Sequence, residues 1–281
     1  VPIWDESKHV TGIIDVLNKR AYEMQDQKRV EIEIPEGKDA VIEEFNNALK
    51  ESVAETSEEF MDKFFSGEDF TYVEMIQGLR QGVRELSMFP VFFGSAINCM
   101  GSLMLMDYIV DLLPNPMEGN YHKATRQDGE TEEFVVSPGG VPTAFVFKTV
   151  SDQYGKYSYL KVLSGSIKPD MPMVNARTGE TEKISKPLTV IGKKQVETDG
   201  IGAGDIGAVA KLVSAKTGDT LCDASRVVKL PAATFPLPSL FMAVTVAKKG
   251  DEGKISSALA RLMEEDPTLS YVNNAETHQQ I

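Results

Sequence analysis

Cysteine is scarce here: Cys99 and Cys222 are the two in 281 residues, which excludes a disulfide framework. They fall in different predicted domains and are expected as free thiols of a reducing compartment. Histidine is nearly as sparse, and His9, His122 and His278 stand at no ligand spacing to a cysteine or an acidic pair, so no metal site is expected. No apolar run reaches the roughly 20 residues that a membrane-spanning helix needs. No charged-then-apolar leader with a small-residue cleavage site is visible. The phosphate loop GxxxxGK[ST], whose backbone amides and lysine cradle a triphosphate, is also absent, so the chain is expected neither to bind a triphosphate with its magnesium nor to supply a catalytic residue. Clustered basic residues are missing too, Lys193-Lys194 being the one local pair in the central part. Composition therefore gives no nucleic-acid surface.

Acid is plentiful and unevenly placed. The net charge is −13. Residues 1–117 hold 22 acidic and 10 basic side chains, a net of −12, while residues 118–281 hold 20 and 19, a net of −1. The length predicts two or three domains, joined by Pro114–Gly119 and by the proline-rich Pro231–Pro238. Much of the acid falls on one predicted helix, from about Gly37 to Phe65. Ile42, Phe45, Leu49, Val53, Thr56 and Phe60 form its apolar face at the helical repeat. Glu44, Asn47, Glu51, Glu55, Glu58 and Asp62 form a second stripe nearly opposite, which reads as a solvated face or as a docking surface for a basic partner.

Downstream, Met88–Phe93 (MFPVFF) predicts a buried strand that runs into Gly94-Ser95-Ala96, followed by a helix from about Gly101 to Leu113. Between Tyr157 and Leu221, Gly165, Pro169-Asp170, Thr178-Gly179, Asp199-Gly200 and Gly204-Asp205 punctuate apolar runs of five to eight residues. That is the pattern of antiparallel strands joined by tight turns, hence a small β-barrel. After it come a strand at Leu240–Ala247, a helix in KISSALARLMEEDP with Ile255, Leu259, Leu262 and Met263 on one face, and a strand near Ser270–Asn273.

The order of these pieces resembles elongation factor G. The Tyr-rich strand ending in Val-Leu-Ser-Gly, the Pro-Asp turn, Ala-Gly-Asp-Ile-Gly-Ala-Val and Thr-Gly-Asp-Thr-Leu are similar to the second domain of translational GTPases, and ALARLMEEDPTLSYVNNAETHQQI to the start of the third domain of elongation factor G. The resemblance implies a multidomain α+β chain. Residues 1–117 would be a remnant of an α/β GTPase domain with its inserted subdomain, residues 118–234 an elongation-factor-Tu-like barrel, and residues 235–281 half of a ferredoxin-like βαββαβ domain. Both ends then look like the edges of a piece of a longer protein, lacking the phosphate loop and the Asn-Lys-x-Asp that reads guanine. The family's use of these regions implies a guanine-base contact at Ser95, Ala96 and Ile97, and a contact of Glu44, Asn47, Glu51 and Glu55 with the ribosomal stalk protein. It also implies a touch of the second domain on small-subunit ribosomal RNA. The parent protein would bind GTP and magnesium and drive translocation in the cytoplasm, while this chain would bind neither. Release factor three, the ribosomal-protection proteins, another paralogue of elongation factor G and a non-hydrolysing ribosome-binding module are the rival readings; ALARLMEEDP favours elongation factor G over release factor three. The cut third domain is expected to expose a strand edge, and so to pair between chains or to exchange amide hydrogens quickly.

Overall fold

Short strands separated by tight, positive-φ turns open the chain. In the computed structural model, β1 (Pro2–Trp4), β2 (Val10–Asp15), β3 (Arg20–Gln25) and β4 (Lys28–Ile32) form an antiparallel meander in sequence order. The structure describes all residues except 27, 120–121, 153–154, 248–249, 251 and 277–278; His278 thus lies outside the described residues. The chain divides into two compact units, Val1–Asn115 and Pro116–Ile281.

In the first unit, β2 carries two adjacent buried isoleucines, and the period of two sends them to opposite faces. Ile14 packs with Ile3, Ala21 and Ile42, while Ile13 joins a larger cluster with Val53, Phe60, Met75, Leu79, Met104 and Tyr108. Helices cover the sheet. They are α1 (Asp39–Ala54), α2 (Glu58–Phe65), α3 (Tyr72–Arg84) and α4 (Ser102–Leu112). The single helix expected over 37–65 is thus two helices. The break has a local cause: Ser57 adopts an extended backbone and its hydroxyl accepts from the Phe60 N–H, capping α2 instead of continuing α1. Thr71 caps α3 in the same manner and forms a reciprocal capping box with Glu74. Lys63 reaches across from α2 to that same Glu74 at 2.7 Å. Gly78 lets α3 lie close to α1, because a Cβ there would sit 2.6 Å from Val53 Cγ1.

Met88–Phe93 is not the buried strand that its apolar run predicts. It belongs to no ladder among the described residues, and Phe89, Val91 and Phe93 are exposed, whereas Met88 and Phe92 pack on the helical core. Pro90 removes one donor, and no neighbouring strand is present among the described residues to use the others. An apolar run makes a central strand only where partners flank it on both edges.

The second unit contains β5 (His122–Arg126), β6 (Thr131–Phe134), β7 (Thr143–Asp152), β8 (Gly155–Ser164), β9 (Ser166–Ile167), β10 (Pro172–Asn175), β11 (Thr181–Lys183), β12 (Leu188–Ile191), β13 (Lys194–Glu197), β14 (Ile201–Gly202), β15 (Ile206–Ala210), β16 (Thr220–Cys222), β17 (Val228–Lys229) and α5 (Glu252–Glu265). Eight strands form one antiparallel sheet in the order β11-β10-β16-β7-β8-β15-β12-β13. Val146, Leu160, Val162, Met173, Val209 and Leu221, drawn from five of these strands, share one dry cluster with Ile167, Ile184 and Ile201. The sheet must curl around that cluster, which is the barrel expected from the turns. Gly165, at φ +65, shows why a glycine is needed: an added Cβ would lie 2.7 Å from the Gly140 carbonyl oxygen.

Two buried carboxylates fasten the loop before β16. Glu182 accepts the N–H groups of Val213, Ser214 and Ala215 and the Ser214 hydroxyl. Asp219 accepts from Arg177, from the Asn175 amide and from the Lys216 N–H. Burial opposes ionisation at both, yet these donors outweigh it and hold each carboxyl below its ordinary range.

Past Leu230 the packing changes. Helix α5 forms as expected and its end docks on the barrel, the Ser151 N–H donating to Glu265 at 2.6 Å and Lys156 pairing with Glu264 at 3.3 Å. The strands expected at 240–247 and 270–273 are reduced to isolated bridges, Val244 to Gln280 and Asn273 to Gln280. Their apolar side chains gain no core to lie against: Leu240, Phe241, Met242, Val244 and Val272 are all exposed.

Candidate functional site

The loop between Phe93 and α4 is a hairpin-like turn held from inside. Ser95 N–H donates to the Met100 carbonyl at 3.0 Å, and the Ser95 hydroxyl accepts from the Asn98 N–H at 3.4 Å. Two glycines let the strands of the turn come together. A Cβ on Gly94 would lie 2.8 Å from the Met100 oxygen, and one on Gly101 would lie 2.7 Å from the Phe93 oxygen. Gly101 and Cys99 both adopt positive φ. Met100 is buried and anchors the turn, while Ala96, Ile97 and Asn98 form its solvent surface, Ile97 being 95% exposed. The turn thus brings Ser95, Ala96 and Ile97 into one small loop with Ser95 engaged internally.

The acidic residues lie elsewhere on the same unit. Glu44, Asn47 and Glu51 are exposed on α1, and Glu55 is its exposed C-terminal cap. Glu58 and Asp62 belong to α2, so the stripe that looked continuous is divided at Ser57. Neighbouring carboxylates are neutralised, Lys19 pairing with Glu43 and Lys50 with Asp69. Glu44, Glu51 and Glu55 have no ion-pair partner among the described residues. Their charge is therefore turned outward, available to a cationic partner at long range.

Behind this face, Asn46 is buried and donates to the Val16 carbonyl at 2.9 Å, which fixes α1 to the sheet. Tyr108 of α4 donates to Asp15, which also accepts the Leu17 and Asn18 N–H groups. Burial and the Asp15 charge push the Tyr108 phenol far above its ordinary range, so it stays a donor at any working pH. Neither anchor carried a sequence signal, since their partners lie 30 and 93 residues away. The Glu74 carboxyl is held down to about 2 by Lys63 first, and by the Thr71 N–H and hydroxyl. Among the described residues no three of His, Cys, Asp and Glu gather closely enough to hold a metal ion, and no helix is long and apolar enough to cross a membrane.

Comparison with known proteins gives these features a class. Residues 142–224, the curled sheet, match the family model of elongation factor G domain 2. Residues 235–281 match that of elongation factor G domain III. The two matches follow one another in the second unit. Over these two stretches the chain is similar to consecutive domains of elongation factor G. It is also similar to a protein of Thermus thermophilus of known crystal structure, with 26% identity and a TM-score of 0.80 over the whole of this chain. The chain spans 40% of the length of that protein.

Proposed function

We propose that this chain is the non-catalytic middle of a ribosomal translocation factor, one whose parent couples GTP hydrolysis to movement of tRNA and mRNA. The carrying observation is the succession of an elongation factor G domain 2 and a domain III in one unit. In this reading residues 1–117 are the end of the GTPase domain with its insertion, residues 118–234 the barrel and residues 235–281 part of the third domain. GTP and magnesium belong to the parent; Ser95, Ala96 and Ile97 contact the guanine base there. In this chain that turn stands without phosphate-binding groups. Titration calorimetry with GTP and magnesium is expected to show no micromolar binding, and a micromolar dissociation constant would overturn the assignment.

On the ribosome, the outward charge of Glu44, Glu51 and Glu55, with Asn47 between them, meets the basic C-terminal domain of the stalk protein, and the barrel rests on small-subunit ribosomal RNA. The work takes place in the cytoplasm. Rim charges act chiefly through steering. Reversing the three glutamates to lysine is therefore expected to weaken stalk binding roughly tenfold, mostly by slower association, with the thermal midpoint unchanged. Binding that survives the reversal intact would reduce α1 to a solvated face.

A further inference from the structure

Helix α5 ends on two adjacent acids, Glu264 and Glu265, and its last turn holds no basic side chain. In an isolated helix that is the unfavourable sign, because the carbonyls of the last turn already carry partial negative charge. The acids find their partners outside the helix. Ser151 N–H donates to the Glu265 carboxylate at 2.6 Å, and the Lys156 ammonium lies 3.3 Å from Glu264. Both partners belong to one cross-strand pair, Ser151 of β7 opposite Lys156 of β8.

The barrel offers this pair because one of its edges stops short. Strand β16 flanks β7 on the side away from β8 and pairs with 143–145, and Val146 then exchanges main-chain bonds with Gly218 and Asp219 at 2.8 Å each. Past Val146 that side of β7 has no ladder partner among the described residues. The Glu265 carboxylate takes the Ser151 donor in place of a neighbouring strand, so a helix end covers the edge. The receiving side is held independently, since the Lys156 carbonyl accepts the Lys211 N–H at 3.0 Å within the barrel. The helix is therefore the movable partner. We propose that Glu264 and Glu265 form a latch: α5 docks reversibly on the β7–β8 end of the barrel through these two carboxylates, and its last turn forms only when docked. The inference stands apart from the ribosomal reading, since it rests on these contacts alone.

Amide exchange of the whole chain, read residue by residue by NMR, tests it through Glu264→Lys. A lysine near a helix C-terminus complements the macrodipole, so a helix held by its own propensity would exchange more slowly in this variant. A latched helix meets Lys156 with a like charge instead, and amides 262–265 and Ser151 should exchange roughly tenfold faster. Lys156→Glu alone should act the same way, and combining it with Glu264→Lys restores opposite charges and should recover the protection. Glu265→Ala leaves the Ser151 N–H without its acceptor and should release both sites together. The barrel's melting point should not move, since every change but one lies outside it. Slower exchange of α5 in Glu264→Lys would overturn the proposal, and so would a double variant that recovers nothing. Loss of protection at Ser151 with α5 still protected in Glu265→Ala would also overturn it, showing the contact to be incidental to the helix.

Discussion

The barrel and the segment after it lie in one compact unit, yet they solve the burial problem differently. Between Ala144 and Leu221 a dozen residues share a dry core, whereas among the described residues beyond Leu230 no side chain is fully buried. Both regions are rich in apolar residues, and both match domains of the same family. What separates them is closure. Each central barrel strand has partners on two sides and a common interior, while the segment has one helix and a few bridges. Hydrophobic content supplies a tendency to bury, and topology decides whether burial happens.

The sharpest way to break that contrast is to disturb one glycine in each region. Gly165→Val places a β-branched side chain at positive φ against the Gly140 carbonyl and Pro142, and is expected to cost about 3 kcal/mol or more in urea unfolding. Gly253, near the start of α5, has open space where a Cβ would go. Gly253→Ala should therefore be neutral or stabilise that helix by about 0.5 kcal/mol. Equal effects at the two positions would remove the distinction.

Core truncation sharpens it further. Leu160 is wholly buried and Leu262 is half exposed, so Leu160→Ala should destabilise by about 2–5 kcal/mol and Leu262→Ala by under about 1 kcal/mol. The measurement is the denaturant midpoint of each variant at constant slope.

Acid offers a gentler probe. Glu182 and Asp219 both have folded pKa values depressed below their ordinary ones. Their stabilisation is therefore complete above the unfolded carboxyl range near 4 and is lost as pH falls through the lower folded values. The barrel should weaken steadily below about pH 4. Glu182→Gln should flatten that dependence while lowering stability at pH 7, because an amide cannot accept four donors as a carboxylate does. A pH profile that stays unchanged in the variant would mean that the cradle contributes nothing. At the smallest scale, Thr71→Ala should raise the Glu74 carboxyl from about 2 towards the ordinary range, read by NMR titration, because one hydroxyl donor to the carboxylate is lost.

What the sequence disclosed follows the same division. The turns at Gly165, Pro169-Asp170 and Gly204-Asp205 were legible because a positive φ is a local demand, met by Gly165, Asp170 and Gly204. Helices α4 and α5 were legible from their own periodicity. The break at Ser57 was written locally as a capping serine before two glutamates, but the longer apolar stripe masked it. Strands at 88–93 and 240–247 were misread, since an apolar run carries no information about whether a neighbour is present. The Ser95–Ile97 turn could be placed from its flanking glycines, and the outward acidic residues from helical spacing. The supports of that unit, Asn46 with Val16 and Asp15 with Tyr108, depend on long-range partners and left no pattern to read.

Amide exchange followed by mass spectrometry in dilute solution tests the central claim most directly. At about 1 μM the account predicts strong protection in β7, β8 and β15 and exchange at least roughly a hundredfold faster across 240–246 and 270–274. Equal protection of the two regions in the dilute monomer would contradict the claim that only the barrel is closed.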